Sequence, residues 1–526
     1  MTGLAEVTPL TGRDLRRLTR AATESHGGGA IGDVVGEVYT FVFSLLVAAA
    51  MAFGASQMLS TRLRSSTADV VLDPAWLGIA AGVVATGAAI SLAGRLGPVG
   101  LGGGQAAWLL PAPVDRRGLL QPRLTVVTVI AAAVGLGIGA LAGTMSGATG
   151  ADVGFAAALG GTIGLTAVLA VARTQVSGSG RAAHPAVAIG EGLVVAAPLL
   201  AIALVLLRPA APAPLSPPVA TVTVAVLLVA AVMLYVSTER HLDDISGAQI
   251  RARGAVTAYA AGAVTSLDTR ELGRALSITA QPDARRRSRS FGGVRGPVTA
   301  MVTGDALLTL RSRRHVIAVL VWAVVPIVVT LAGWASWTTL VGVLVAGYAS
   351  ALALAEGARR AEMAPVLDRA FPIAAEQIRR VRLIWPGAVM LVWAVVTVGS
   401  WAWLTGLDVS AWLPLAAAAG PVFAAGAIRG AYRKAADWSK PLVANPMGPP
   451  IPPGLFGMIA KGPDIVVICL VPLILGIVAV ASPVTLLPWQ LAATLIAIAI
   501  GVHVPNPHGA FAQAMAAQGG QAGNRR

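Results

Sequence analysis

Long apolar stretches alternate with short polar ones along most of the chain. Each is close to the ~20 residues a helix needs to cross the hydrocarbon core of a bilayer. They fall at 35–58, 75–94, 124–143, 153–172, 186–207, 219–237, 315–336, 338–357, 384–404, 409–428, 463–481 and 484–504. The pattern predicts an all-α polytopic membrane protein of about twelve transmembrane helices. Six spans precede the polar segment 238–314 and six follow it. Ahead of the first span stands "TGRDLRRLTR" (11–20), and ahead of the seventh "TGDALLTLRSRR" (303–314). In each an aspartate, Asp14 or Asp305, lies six residues before an arginine, Arg20 or Arg311. Both read as interfacial helices on the inner leaflet. Leucines would face lipid, and Arg16, Arg17 and Arg20, or Arg311, Arg313 and Arg314, would face headgroups.

A second element also occurs twice. "PVDRRGLLQPRL" (113–124) and "PIAAEQIRRVRL" (372–383) each lie between the second and third spans of a half, 259 residues apart. Pro113 and Pro372 are followed by a β-branched residue, then by Leu119 or Ile378, Arg123 or Arg382, and Leu124 or Leu383 at matching positions. The order of interfacial helix, two spans, charged loop and four spans thus repeats. Six spans per half is an even number, so the expectation is a 6+6 parallel pseudo-repeat about an axis along the membrane normal. The organisation expected is an N-terminus with its interfacial helix (1–34), a first six-helix unit (35–237), and a cytoplasmic linker (238–302). A second interfacial helix and six-helix unit (303–504) and a disordered tail (505–526) follow.

Composition supports this class and gives it a direction. Only 12% of residues are charged against 56% hydrophobic, with a mean hydropathy of +0.75. Soluble domains carry about 25% charge. With both termini cytoplasmic, 36 of the 39 Lys and Arg residues fall on the inner side, leaving Arg62, Arg64 and Arg208 outside. Positive-inside asymmetry therefore predicts a multi-pass protein of the cytoplasmic membrane. The first apolar run is longer than a signal-peptide core, so a retained span is expected there. The net charge of +15 would face anionic lipid and acidic partners; its dispersal among membrane loops argues against nucleic acid.

Candidate chemistry is sparse. Lys434, Lys440 and Lys461 are followed by Ala, Pro and Gly, so no phosphate-binding-loop lysine is present. No zinc-protease motif or serine nucleophile elbow occurs, and the lone Cys469 allows neither an internal disulfide nor a cysteine metal site. The chain is therefore not expected to be an enzyme or to bind a metal. Glu191, inside the fifth span, is the candidate pathway residue; pairing with an arginine or reaching the headgroups are its alternatives. Glu356 beside Arg359 and Arg360 reads as a local ion pair. Gly135, Gly139 and Gly143, with Gly160 and Gly164, have the spacing of close helix packing. Trp334, Trp337, Trp401, Trp403, Trp412 and Trp489 read as an aromatic belt.

On these residues the chain resembles the membrane subunits of ABC-2-type exporters, in an actinobacterial-type form with two six-helix units fused. That family has an interfacial helix bearing an acidic residue and arginines. It also has a loop signature of leucines, proline, basic residues, leucine and arginine. Here the signature is Leu109, Leu110, Pro113, Arg116, Arg117, Leu119, Leu120 and Arg123. Its second copy is Leu367, Pro372, Ile378, Arg379, Arg380 and Arg382, with Glu376 among them. The outer loops 208–218 and 482–485 depart from the family in being short. The resemblance implies a permease that moves an amphiphilic or hydrophobic substrate. ATP and Mg would be bound by a separate nucleotide-binding subunit, one copy seated on each loop, and no cofactor by this chain. Leu119 and Ile378 would act as apolar plugs, with Arg116, Arg117, Arg379 and Arg380 pairing with acidic partner residues. A twelve-helix secondary transporter is the alternative, and a membrane scaffold the third reading.

Overall fold

The computed structural model describes residues 10–27, 74–146, 148, 150–177, 183–207, 209–210, 216–265, 293–331, 336–364, 366, 368, 371–433, 461–479 and 481–504. The chain forms two compact units, Met1–Arg286 with Leu331–Trp334, and Arg287–Thr330 with Ala335–Arg526. It is an all-α, multi-spanning membrane protein, and ten described helices are long and apolar enough to cross a membrane.

Unit one contains α1 (Gly12–Gly27), α2 (Pro74–Leu96), α3 (Gly103–Leu109), α4 (Arg116–Met145), α5 (Ala151–Val176), α6 (Ala183–Leu207), α7 (Pro217–Arg240) and α8 (Gly247–Thr265). A 3-10 turn, Leu242–Asp244, links α7 to α8. Helix α4 packs along α5, α5 along α7, and α2 along α6, α4 and α5. Helix α1 touches α4, and α8 touches α2 and α3. The α4–α5 contact is a glycine seam: a Cβ on Gly135 would overlap the carbonyl oxygen of Gly160, and one on Gly139 that of Ala156. Close backbone approach is the role their spacing predicts.

Unit two contains α9 (Pro297–Arg311), α10 (Arg313–Leu331), α11 (Ser336–Leu354), α12 (Glu356–Met363), α13 (Ala375–Leu404), α14 (Val409–Ala431), α15 (Pro463–Cys469), α16 (Val471–Ala479) and α17 (Pro483–Val502). Helix α13 packs along α14, α14 along α17, and α11 against α13, α14 and α16; α9 touches α13. The core is aromatic. Trp401 and Trp412 meet edge to face at 4.8 Å, and Trp393 and Phe423 at 5.9 Å. Trp401 and Trp412 are thus core residues, 4% and 3% exposed, and not members of an outer belt. Trp403 and Trp489 stay exposed, and Trp334 lies outside the described residues.

Two span starts differ from expectation. The span at 35–58 and the tail from 505 lie outside the described residues. The spans expected at 124–143 and 384–404 begin earlier, at Arg116 and Ala375, so most of the charged element is helical. Part of the expected linker is also helical, as the end of α7 and α8.

The span expected at 463–481 is two short helices broken at Leu470. Pro472 has no N–H to donate, and its ring excludes the carbonyl one turn back. Gln490 of α17 repairs the gap. Its Nε2 donates to the Cys469 carbonyl (3.1 Å), and its Oε1 accepts from Leu473 N (3.3 Å). In a continuous helix those two backbone groups would pair with each other. Gln490 is fully buried, and Thr494 completes the cluster by donating to Ala418 O at 2.7 Å.

Candidate functional site

The two charged elements share a backbone device. Val114 N donates to Ala112 O and Ile373 N to Phe371 O, each at 2.8 Å, closing a three-residue turn centred on Pro113 or Pro372. A 30-residue helix starts directly after each turn, α4 at Arg116 and α13 at Ala375. Proline fixes φ in the turn, and the turn sets where each helix begins.

In unit one the cap of α4 is Asp115. Its carboxylate accepts from Gly118 N (2.6 Å) and from Gly12 N at the start of α1 (2.5 Å). The Gly12 N–H, supported by that of Gly118, holds this carboxyl below the usual range despite burial. Leu119, 2% exposed, lies against Gly12. Arg116 donates to Ile245 O (2.6 Å). The Arg117 backbone N–H donates to Asp243 (2.8 Å), and its side chain pairs with Glu239 at 3.0 Å. Arg123 donates to Gln105 Oε1 of α3 (3.0 Å). Asp14 makes a reciprocal cap with Thr11, whose hydroxyl is the main cause holding Asp14 below its ordinary range. Around it Arg17 and Leu18 are exposed and Arg16 is half-buried, while the side chain of Arg20 lies outside the described residues.

In unit two Ile378 packs on Met301 of α9, together with Val381. Arg382 lies between two carboxylates, Asp305 of α9 (3.0 Å) and Asp368 (2.6 Å), and Tyr432 OH donates to Asp368 at 3.4 Å. Burial raises the Asp305 carboxyl to about 6; Arg382 opposes the shift and Asp368 adds to it. Arg379 lies 4.4 Å over the Tyr432 ring and donates to His503 O at the end of α17 (2.5 Å). Glu376 and Arg380 form an exposed pair at 3.0 Å. Arg311 and Arg313 are exposed, and Arg314 donates to the His315 ring at 3.2 Å.

Leu119 and Ile378, expected as plugs offered to a partner, are instead buried, Leu119 against α1 and Ile378 against α9. Most of the arginines are also used within their own unit. What the elements leave outward is Arg117, Arg123, Arg380 and two apolar side chains missed in the sequence, Trp108 and Val366. Glu191 is paired with Arg95 at the end of α2, which replaces a free pathway carboxylate by an ion pair. Arg253 of α8 donates to Gly94 O (3.0 Å) and Arg95 O (2.7 Å) at the end of α2, beside the left-handed Gly97, which caps the helix by donating to Ala93 O at 2.8 Å. Glu356 pairs with Arg359 and Arg360, both at 3.0 Å.

These cross-links join helix ends at one face of each unit. Arg117–Glu239 ties the start of α4 to the end of α7, and Arg379–His503 ties the start of α13 to the end of α17. Fold and site therefore define a multi-pass helical membrane protein with polar contacts gathered at helix ends. Residues 67–441 match the DUF6297 family, a family of unknown function, and the chain belongs to it. No curated protein matches, and no solved structure does.

Proposed function

We propose that this chain is the permease of an ATP-driven exporter of the cytoplasmic membrane, its two units related as a 6+6 parallel repeat. The energy comes from ATP and Mg held by a separate nucleotide-binding subunit, one copy at each charged element. The observation that carries this reading is the twin turn-and-helix element. Its turns have the same hydrogen bond, and its helices span 116–145 and 375–404, shifted by 259 residues at both ends. Two further pairings recur, α5 with α7 as α14 with α17, and α2 with α4 and α5 as α11 with α13 and α14. Two copies of one surface suit two copies of one partner. In each unit the face of helix ends is then cytoplasmic, with Arg117 and Arg380 giving steering and register to an acidic groove. Interfacial helices α1 and α9 rest on anionic lipid. The substrate is amphiphilic or hydrophobic, to suit an apolar interior.

The full-length tagged protein, drawn from its native membrane, is expected to bring a P-loop ATPase with it. Arg117→Glu with Arg380→Glu should weaken that retention while leaving the protein inserted. Isolation without any ATPase would contradict the reading.

A twelve-helix secondary transporter is the second reading. The broken helix at Leu470, with buried Gln490 and Thr494, favours it, because interrupted spans build the sites of such carriers. Transport that survives ATP depletion but stops when the ion gradient is collapsed would select it.

A further inference from the structure

Unit two has a second polar cluster, apart from the charged element. Two spans end at it: α10 begins at Arg313 and α11 finishes at Leu354. His315 stands in the first turn of α10, and Glu356, Arg359 and Arg360 stand on α12, directly after α11. His315 is 6% exposed and lies within electrostatic reach of those three residues. The Glu356 carboxylate is shared by two guanidiniums, Arg359 and Arg360, both at 3.0 Å. Asp305 lies against Gly357 of the same helix, but it is committed to Arg382. One carboxylate for two guanidiniums leaves the cluster with an excess positive charge.

The cluster is also short of an acceptor. Arg314 Nε donates to His315 Nε2 at 3.2 Å, so that nitrogen carries no proton and the ring proton is on Nδ1. Among the described residues nothing accepts from His315 Nδ1, although the atom is sealed from solvent, and the same holds for Arg359 Nε. Arg359 Nη2 is already used, on Glu356 and on Leu352 O at 2.7 Å. A buried N–H is costly to leave without an acceptor. A water molecule would satisfy the two N–H groups and leave the charge. An anion with several acceptor oxygens answers both.

Depth selects the anion. Two spans run out at this level, so the cluster lies where lipid headgroups do. Basic pockets between spanning helices are places where anionic headgroups bind. Arg360, with half of its side chain exposed, is the approach.

We infer that His315, Arg359 and Arg360 form a site for a phosphate group at the level of the lipid headgroups. The phosphate accepts from His315 Nδ1–H and Arg359 Nε–H and balances the second guanidinium. A lipid of net negative charge presents its phosphate at this depth; free phosphate is the other source. The site does not depend on an ATPase partner or on how transport is energised.

The test uses full-length protein purified in detergent and stripped of lipid. Lipid retained in native mass spectra and the unfolding temperature are read after adding phosphatidylglycerol, phosphatidylcholine, or inorganic phosphate at constant ionic strength. Phosphatidylglycerol should bind saturably and raise the unfolding temperature, and phosphatidylcholine, with no net charge, should do so far less. Arg360→Gln should weaken phosphatidylglycerol binding by about fivefold, the share of one cation facing anionic lipid. His315→Phe should weaken it too, and His315→Asn, which keeps a donor near the place of Nδ1, should restore part of the loss. Arg251→Gln, at an exposed arginine of α8, should change nothing. Stabilisation by inorganic phosphate but not by phosphatidylglycerol would assign the site to a soluble phosphate. A folded His315→Phe, Arg360→Gln double variant that binds phosphatidylglycerol as tightly as wild type would overturn the inference. So would a wild-type protein that responds equally to the two lipids and not at all to phosphate.

Discussion

The seam between α4 and α5 and the seam between α13 and α14 each involve the helix that follows a proline turn, yet they are filled differently. The first is lined by Gly135, Gly139 and Gly160, which bring the backbones together. Shifted by 259 residues, the second has Ala394, Val398 and Ala419, with Phe423 where the first has Gly164; one glycine, Gly420, still lies close on the backbone of Met390 and Leu391, and the Trp393–Phe423 and Trp401–Trp412 pairs fill the rest. The polar chemistry diverges as well. Arg123 and Arg382 each lie ten residues after the turn proline, but Arg123 is exposed on a neutral amide whereas Arg382 is buried between two carboxylates. The comparison teaches that one proline turn and helix start can be joined to different side-chain contacts.

The comparison can be broken most strongly at the two arginines. Arg382→Gln should destabilise unit two by about 3–5 kcal/mol, since it leaves buried carboxylates without their cation. The same change at Arg123 should cost less than about 1 kcal/mol. Thermal unfolding in detergent checks both, and equal losses would erase the distinction.

Next comes pH. The folded state holds the Asp305 proton more tightly than the unfolded state, where the carboxyl returns to its ordinary value near 3.8. Stability from this group is therefore present below pH ~4 and is lost as pH rises to about 6, by about 3 kcal/mol in all. Asp305→Asn should flatten the profile in that window. A profile unchanged by Asp305→Asn would show that this carboxyl is not the titrating group.

Gly139→Leu should cost about 2–3 kcal/mol by forcing α4 from α5. At the equivalent place, where a side chain is already accommodated, Val398→Leu should cost about 1 kcal/mol. Gln490→Leu should cost about 1–3 kcal/mol, because it leaves Cys469 O and Leu473 N unpaired in the break. The effect should appear as faster hydrogen exchange at 470–474, and an unaltered rate there would deny Gln490 its bridging role.

Much of the helical plan was legible because a spanning helix is specified by its own apolar length. The twin element could be found too, since proline placement survives where side-chain chemistry does not. The helix starts at Arg116 and Ala375 were missed because charged residues were taken for loop, although Asp115 caps the first of these helices. The break at Leu470 was missed because an apolar run hides Pro472, and the residue that repairs it, Gln490, lies on another helix. Trp401 and Trp412 were misplaced because position along a span does not say which side of the helix faces a neighbour. Leu119 and Ile378 fit an apolar contact in sequence terms, but its occupants are α1 and α9 of the same chain. Trp108 carried no periodic signal at all, and only its exposure singles it out.

Native mass spectrometry of the full-length protein extracted from its own membrane tests the central claim most directly. The account predicts one chain with two P-loop subunits, one of them lost when Arg117 is reversed to Glu and the other when Arg380 is. A chain that carries no ATPase, or that keeps both subunits when both arginines are reversed, would contradict it.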